Sequence, residues 1–242
     1  MGADGWTSPV VGVLGGMGPS ATVTFLDQLV RLTDAGSDQD HIDVIVTQHG
    51  STPPRSDFIL HPDRAADPTP ALVSDARRLL GAGADMIVIP CNTACHFLPA
   101  IQAGVPIPCV SIVDVTAARA TEAAAGGPIA VFATEGTMAS KLYQRAIEQR
   151  GAQVIAPSPS LQHTITHMID DQVKAGLSVD LAQLNRCIVE VQTAGAKAVI
   201  LGCTELSVIY DRHHLDARPE LVDSLRTLVL HTITAAGRQV RQ

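Results

Sequence analysis

The chain is 242 residues long, 46% hydrophobic, 17% charged and only 3% aromatic, with a formal net charge of −7. That is enough apolar material for one large domain or two small ones, with interiors built from Ala, Val, Leu and Ile. No Lys/Arg cluster stands out, which argues against a nucleic-acid partner, and no apolar run approaches the ~18 residues of a membrane span.

In chain order, residues 10–14 predict a buried strand that runs into the turn Gly15-Gly16-Met17-Gly18-Pro19, and helical periodicity follows over 22–32. A Gly-rich strand–helix turn suits either close backbone approach to a small anion or tight strand–helix packing. It is neither a dinucleotide fingerprint nor a P-loop. A strand over 43–47, a helix over 71–80 and a strand over 85–89 come next, the last leading to Cys91. A helix over 113–125, a strand over 129–131 and a helix over 138–149 follow. A helix over 181–193 then precedes a strand over 197–201 that leads to Cys203. A final helix is expected over 219–238, with Pro219 at its start, where helix N-termini tolerate proline. Strand–helix alternation of this kind predicts an α/β fold of parallel sheets wrapped by helices.

The chain also resembles itself. Ala82-Gly-Ala-Asp-Met-Ile-Val-Ile-Pro-Cys-Asn-Thr93 aligns with Ala194-Gly-Ala-Lys-Ala-Val-Ile-Leu-Gly-Cys-Thr-Glu205, 112 residues later. A weaker match pairs the first Gly-rich turn with residues 130–137. Two similar parallel-sheet α/β domains related by a pseudo-two-fold are therefore expected, over residues 1–113 and 114–218. The active site would lie in the cleft between them, and the C-terminal helix, about 219–242, would fold back on the first domain. The duplication puts Cys91 and Cys203 at equivalent places, each just past the C-terminal end of a parallel strand, where open α/β sheets bind ligands.

Five cysteines, an odd number in a chain this long, do not make a secreted disulfide scaffold. The opening ten residues lack the basic start and apolar stretch of a leader, so the cytoplasm is the expected location. In that compartment a cysteine is a small core residue or a working thiol. Two thiols on opposite walls of one pocket suit proton exchange with inversion at a chiral carbon, which needs one base deprotonated and one protonated. Backbone N–H groups at the turns after each cysteine, and the side chains of Asn92, Thr93 and Thr204, would stabilise a thiolate or a substrate carboxylate. Cys109 and Cys187 have no chemical neighbours in sequence and are expected in the core.

These residues carry a family resemblance. Gly-Gly-Met-Gly-Pro at 15–19, Pro90-Cys-Asn-Thr-Ala94 and Leu201-Gly-Cys-Thr-Glu-Leu206 resemble the aspartate/glutamate racemase superfamily, its aspartate racemase branch above all, in order and spacing over nearly the whole chain. The resemblance implies a two-domain α/β fold and a small amino-acid substrate, aspartate or glutamate. It implies no pyridoxal phosphate or other cofactor, no metal, and a homodimer. It also implies a two-base mechanism with Cys91 and Cys203 on opposite sides of the α-carbon. By the same resemblance Arg55 and Lys174 are candidates to bind substrate, each with a solvated surface charge as the alternative. Asn92, Thr93, Thr134, Thr137 and Thr204 would hold its carboxylate and ammonium, with Met17 near the wall and Glu205 among the substrate-binding residues.

The pattern is departed from in two places. Relatives often read Cys-Asn-Thr-Ala-His, whereas here Cys95 takes the fifth position and His96 follows, a shift that rotates the side chain by ~100° on a helical turn. The usual Pro-Asp-Arg segment has become Pro53-Pro54-Arg55. Cys91, Cys95 and His96 offer at most three zinc ligands without a second pair, and His213-His214 reads as surface loop. Other reactions on the same scaffold remain alternatives: hydantoin racemisation, maleate isomerisation or malonate decarboxylation. So does a catalytically silent amino-acid-binding protein.

Overall fold

A computed structural model describes residues 9–177 and 179–241, so most of the opening ten residues lie outside the described residues. The first half comprises β1 (Val11–Gly15), α1 (Pro19–Leu32), β2 (Val44–Gln48), α2 (Arg55–Leu60), α3 (Thr69–Gly81), β3 (Met86–Val88), α4 (Leu98–Gly104), β4 (Cys109–Val110) and α5 (Ile112–Ala124). The second comprises β5 (Ile129–Phe132), α6 (Glu135–Ala139), α7 (Leu142–Glu148), β6 (Val154–Ile155), α8 (Pro159–His167), α9 (Leu181–Thr193), β7 (Ala198–Leu201), α10 (Thr204–Arg212), β8 (Leu221–Asp223) and α11 (Ser224–Ala235). A π-helical turn, Met168–Val173, continues α8.

The strands form two four-stranded parallel sheets of the same order, β2-β1-β3-β4 and β6-β5-β7-β8. The central strands β1, β3, β5 and β7 are buried along their whole length. Their unbroken Val, Ile and Leu runs follow from burial on both faces, as parallel sheets require. The internal repeat extends beyond the cysteine motifs. Ser111 and Asp223, 112 residues apart, each close a half by capping a helix, Ser111 accepting from the Asp114 N–H and Asp223 from the Arg226 N–H.

Those two closing helices bind the halves together. α11 packs on α1 and α5, while α5 packs on α7, β7 and β8. One apolar cluster therefore draws on both halves, joining Phe25 and Leu29 of α1 to Ile147 of α7 and to Leu228, Val229 and Ile233 of α11. Ala117, Ala120 and Ala124 on α5 keep its spacing to neighbours small. Past α11 the chain pairs with the end of α1, where Thr33 and Val240 form an antiparallel bridge. Among the described residues no helix is long and apolar enough to cross a membrane.

Two expected elements differ. The segment expected to be helical from Pro219 first supplies β8, which completes the second sheet, and becomes helical only at Ser224. Its short Leu-Val-Asp run is a buried strand too brief to show a period. The expected helix over 138–149 is broken between α6 and α7 at Lys141, whose backbone is left-handed (φ 54°). Cys187 is buried, whereas Cys109 is only partly buried in the edge strand β4, and His213 and His214 are exposed.

Asp223 is buried, and burial pushes its carboxyl pKa up to about 6. Its Oδ1 accepts the α11 cap bond, and Oδ2 has no partner among the described residues. A carboxyl raised on folding favours the folded state below its unfolded pKa and loses that contribution as pH rises through the folded one. Asp223→Asn keeps an oxygen for the cap and removes the buried charge. Its melting temperature relative to wild type is expected to climb between pH 4 and pH 6 and level off above. Scanning calorimetry over that range checks this; an advantage independent of pH would contradict it.

Candidate active site

In each sheet the strand order reverses beside the first strand, between β1 and β3 and between β5 and β7. Crevices form at such switch points, beyond the C-terminal strand ends. Here the two crevices face each other across a cavity of about 220 Å³. Met17 reaches it from the turn after β1, Cys91, Asn92 and Thr93 from beyond β3, Thr134 from beyond β5, and Cys203, Thr204 and Glu205 from beyond β7. Arg55 enters from α2, and Lys174 from the end of the π-helical turn. The thiols of Cys91 and Cys203, each 5% exposed, thus line one cavity from opposite halves.

The Gly-rich turn serves packing. A Cβ on Gly15 would lie 2.6 Å from the Thr22 methyl, and Gly16, at φ +94°, would press one within 2.5 Å of the His49 backbone. The Gly16 N–H donates to Thr22 Oγ1 at 3.0 Å, so it is engaged within the fold. Gly18 leaves room for Glu205, whose Oε1 would sit 3.3 Å from an added Cβ.

The two thiols have different surroundings. Cys203 stands at the N-cap of α10, and its Sγ–H donates to Glu205 Oε2 at 2.8 Å. Burial first, then the Glu205 charge and that hydrogen bond, hold the Cys203 pKa well above the ordinary thiol value; the Glu205 backbone N–H and Lys174 oppose them. Lys174 donates to Asp170 Oδ1 at 2.6 Å. Burial lowers its pKa, but the Asp170 hydrogen bond and the charges of Glu205, Asp170 and Cys203 outweigh that and raise it. Cys91 lies in the short link between β3 and a 3-10 turn, with its N–H donating to the Ile89 carbonyl.

Polar groups close the remaining wall. The hydroxyls of Thr93, Thr134 and Thr137 form a triangle with sides of 2.8–3.2 Å. Thr93 and Thr134 face the cavity; Thr137 lies behind them, supporting rather than lining it. Arg55 ties one end of its guanidinium to the Thr52 and Pro53 carbonyls, and its buried Nε has no partner among the described residues. An arginine so anchored keeps its charge beside the cavity, where a guanidinium suits a carboxylate.

Ser56, Asp57, Glu135, Thr166 and Asp170 also line the cavity and were not singled out in the sequence. Thr166, Asp170 and Lys174 are spaced by four, which on a helical segment gives one face, a signal present in the sequence around Lys174. The shifted Cys95-His96 pair falls outside the site. Cys95 is buried in the core shared by both halves, its pKa pushed up to about 11 by burial, and His96 is exposed with its ring against Phe97. Among the described residues no three His, Cys, Asp or Glu side chains are grouped to hold a metal ion.

Residues 14–232 match the family described as Asp/Glu/Hydantoin racemase. The chain is 26% identical over 229 residues to the broad specificity amino-acid racemase RacX of Bacillus subtilis, spanning 93% of this chain and 97% of that one. It is 27% identical over 157 residues to a glutamate racemase of Corynebacterium kroppenstedtii, 64% of this chain and 50% of that protein. In fold it is similar to the aspartate racemase of Picrophilus torridus, with a TM-score of 0.79 at 24% identity and 96% of each chain covered.

If Glu205 raises the Cys203 pKa through its charge, Glu205→Gln lowers that pKa and increases the thiolate fraction. Alkylation of Cys203 by iodoacetamide at pH 8, followed by peptide mass spectrometry, is expected to run several-fold faster in the variant. An unchanged or slower rate would show that Glu205 does not govern this thiol.

Proposed function

The chain belongs to the Asp/Glu/hydantoin racemase family, and from that we propose that it racemises a free amino acid, using Cys91 and Cys203 as bases on the two faces of the α-carbon. The observation that carries the reading is the pair of buried thiols lining one cavity from equivalent strand ends of a duplicated fold. Cys203, held protonated by burial and Glu205, serves as the acid for one direction; Cys91 is then the base. The Cys91 thiolate takes the α-proton, forming S–H as the C–H electron pair moves toward the substrate carboxylate. The Cys203 S–H delivers its proton to the opposite face and becomes the thiolate. The reverse reaction restores the starting state. No cofactor enters this scheme, since both protons travel between sulfur and carbon.

Stabilising the new negative charge is the main electrostatic demand. Arg55, Thr93 and Thr134 line the cavity beside the substrate carboxylate, and Asn92, bonded at both ends of its amide, keeps one Nδ2 hydrogen for it. Lys174 offsets charge on Cys203 after it has given up its proton. The substrate ammonium has Glu205 within the same cavity. We take aspartate or glutamate as the substrate on the sequence motifs, with Lys174 meeting the second carboxylate.

One observation favours a second substrate class. Asp57, Glu135, Asp170 and Glu205 line the cavity against only two cations, and Lys174 is already paired with Asp170. A side chain that is neutral or cationic would meet less repulsion there than a carboxylate. The RacX relative is named for broad specificity.

The experiment is incubation of chelator-treated protein, without pyridoxal phosphate, with each enantiomer of aspartate, glutamate, alanine, lysine and arginine. Chiral chromatography follows inversion. At least one pair is expected to interconvert, and Cys91→Ala and Cys203→Ala should each lower the rate by roughly 10²–10⁴-fold, the usual contribution of a positioned acid or base. No inversion of any pair by folded, reduced protein, or full activity in either variant, would contradict the proposal.

A further inference from the structure

Tyr143 is buried at 2% exposure, and its side chain contacts the residue next to each of the two cysteines. Its hydroxyl donates to Asn92 Oδ1 at 2.6 Å, immediately after Cys91. Its ring lies against Gly202, immediately before Cys203: a Cβ on Gly202 would come 2.8 Å from Tyr143 Cε2. The other end of the Asn92 amide donates to Ser224 Oγ at 3.0 Å, at the first residue of α11. The amide of Asn92 is therefore held at both ends, by α7 on one side and α11 on the other.

We propose that Tyr143 is a positioning residue that fixes the separation and mutual orientation of the two thiol-bearing turns, with Ser224 completing its hold on Asn92. This rests on the two-thiol reading of the cavity. Inversion requires both sulfurs to address one carbon from opposite faces, and small misplacements of reacting groups are costly in rate. The cysteines belong to different halves and to turns with no direct hydrogen bond between them among those described. Tyr143 spans that gap with a rigid ring at one turn and a hydroxyl at the other. Burial raises the phenol well above its ordinary pKa, so it remains a neutral donor throughout the working range. The glycine before Cys203 then has a specific use: it is the only side chain small enough for the ring to lie this close.

Tyr143→Phe removes the hydroxyl and keeps the ring. With the amino acid that the protein inverts, kcat is expected to fall about tenfold or more in both directions while KM stays within about twofold, as for lost alignment without lost binding. Ser224→Ala is expected to act in the same sense, and the two substitutions together should cost less than the product of their separate effects, because both release one amide. An activity-independent readout keeps the two proposals apart. A short dihalide that alkylates two neighbouring thiols should bridge Cys91 to Cys203 in wild type, and the bridged peptide should be depleted in Tyr143→Phe. Bridging that is depleted in the variant supports the positioning role even if no substrate is found. Wild-type kcat and bridging in folded Tyr143→Phe, or a change confined to KM, would overturn it. Should Tyr143→Phe fail to fold, unchanged kcat and bridging in Ser224→Ala would overturn it equally.

Discussion

Each half of the molecule gives its last helix to the other, and the placement of the cavity depends on that exchange. α5 lies on the second half and α11 on the first, and the two pack together in one core. Parallel sheets need both faces covered, and here the missing cover comes from across the molecule. The two switch points consequently open toward each other rather than to solvent. A cavity lined by both halves is a result of how the core is closed.

Within that cavity the repeat is exact in topology and unequal in charge. The strand order is the same in both sheets, and the two cysteines follow equivalent strands. Glu205 and Lys174 act on Cys203, whereas Cys91 is followed by an amide bonded at both ends. Symmetry of the backbone brings two thiols to one cavity; asymmetry of the side chains holds the Cys203 pKa up, which in the proposed scheme suits it to the acid's part. A pair in identical surroundings would have no such preference, although two-base exchange needs opposite protonation states.

The central strands and the two cysteines were legible because their signals are local: unbroken buried runs ending in Cys-Asn-Thr and Cys-Thr-Glu. The strand β8 was not, because three residues carry no period and Pro219 suggests a helix start. The break at Lys141 lies in a segment of continuous helical composition, where the left-handed backbone has no local sequence signal. The Gly-rich turn left two readings open, and the contacts of Gly15 and Gly16 with Thr22 and His49 decide for packing. Tyr143 itself had no sequence signature. Its significance lies in contacts to residues 51 positions upstream and 59 downstream, which no spacing rule anticipates.

The claim that two single-proton groups act from opposite faces is tested most directly by where solvent isotope appears. One enantiomer of the amino acid that the protein inverts is incubated in D2O and stopped at a few per cent conversion, and both enantiomers are analysed for α-deuterium. A thiol carries one exchangeable proton, so the base that abstracts is not the acid that delivers. The account predicts a product enantiomer deuterated at the α-carbon and a remaining substrate pool that still carries protium. Product that retains the original α-proton would mean that one group performs both transfers, and the two-thiol account would be wrong.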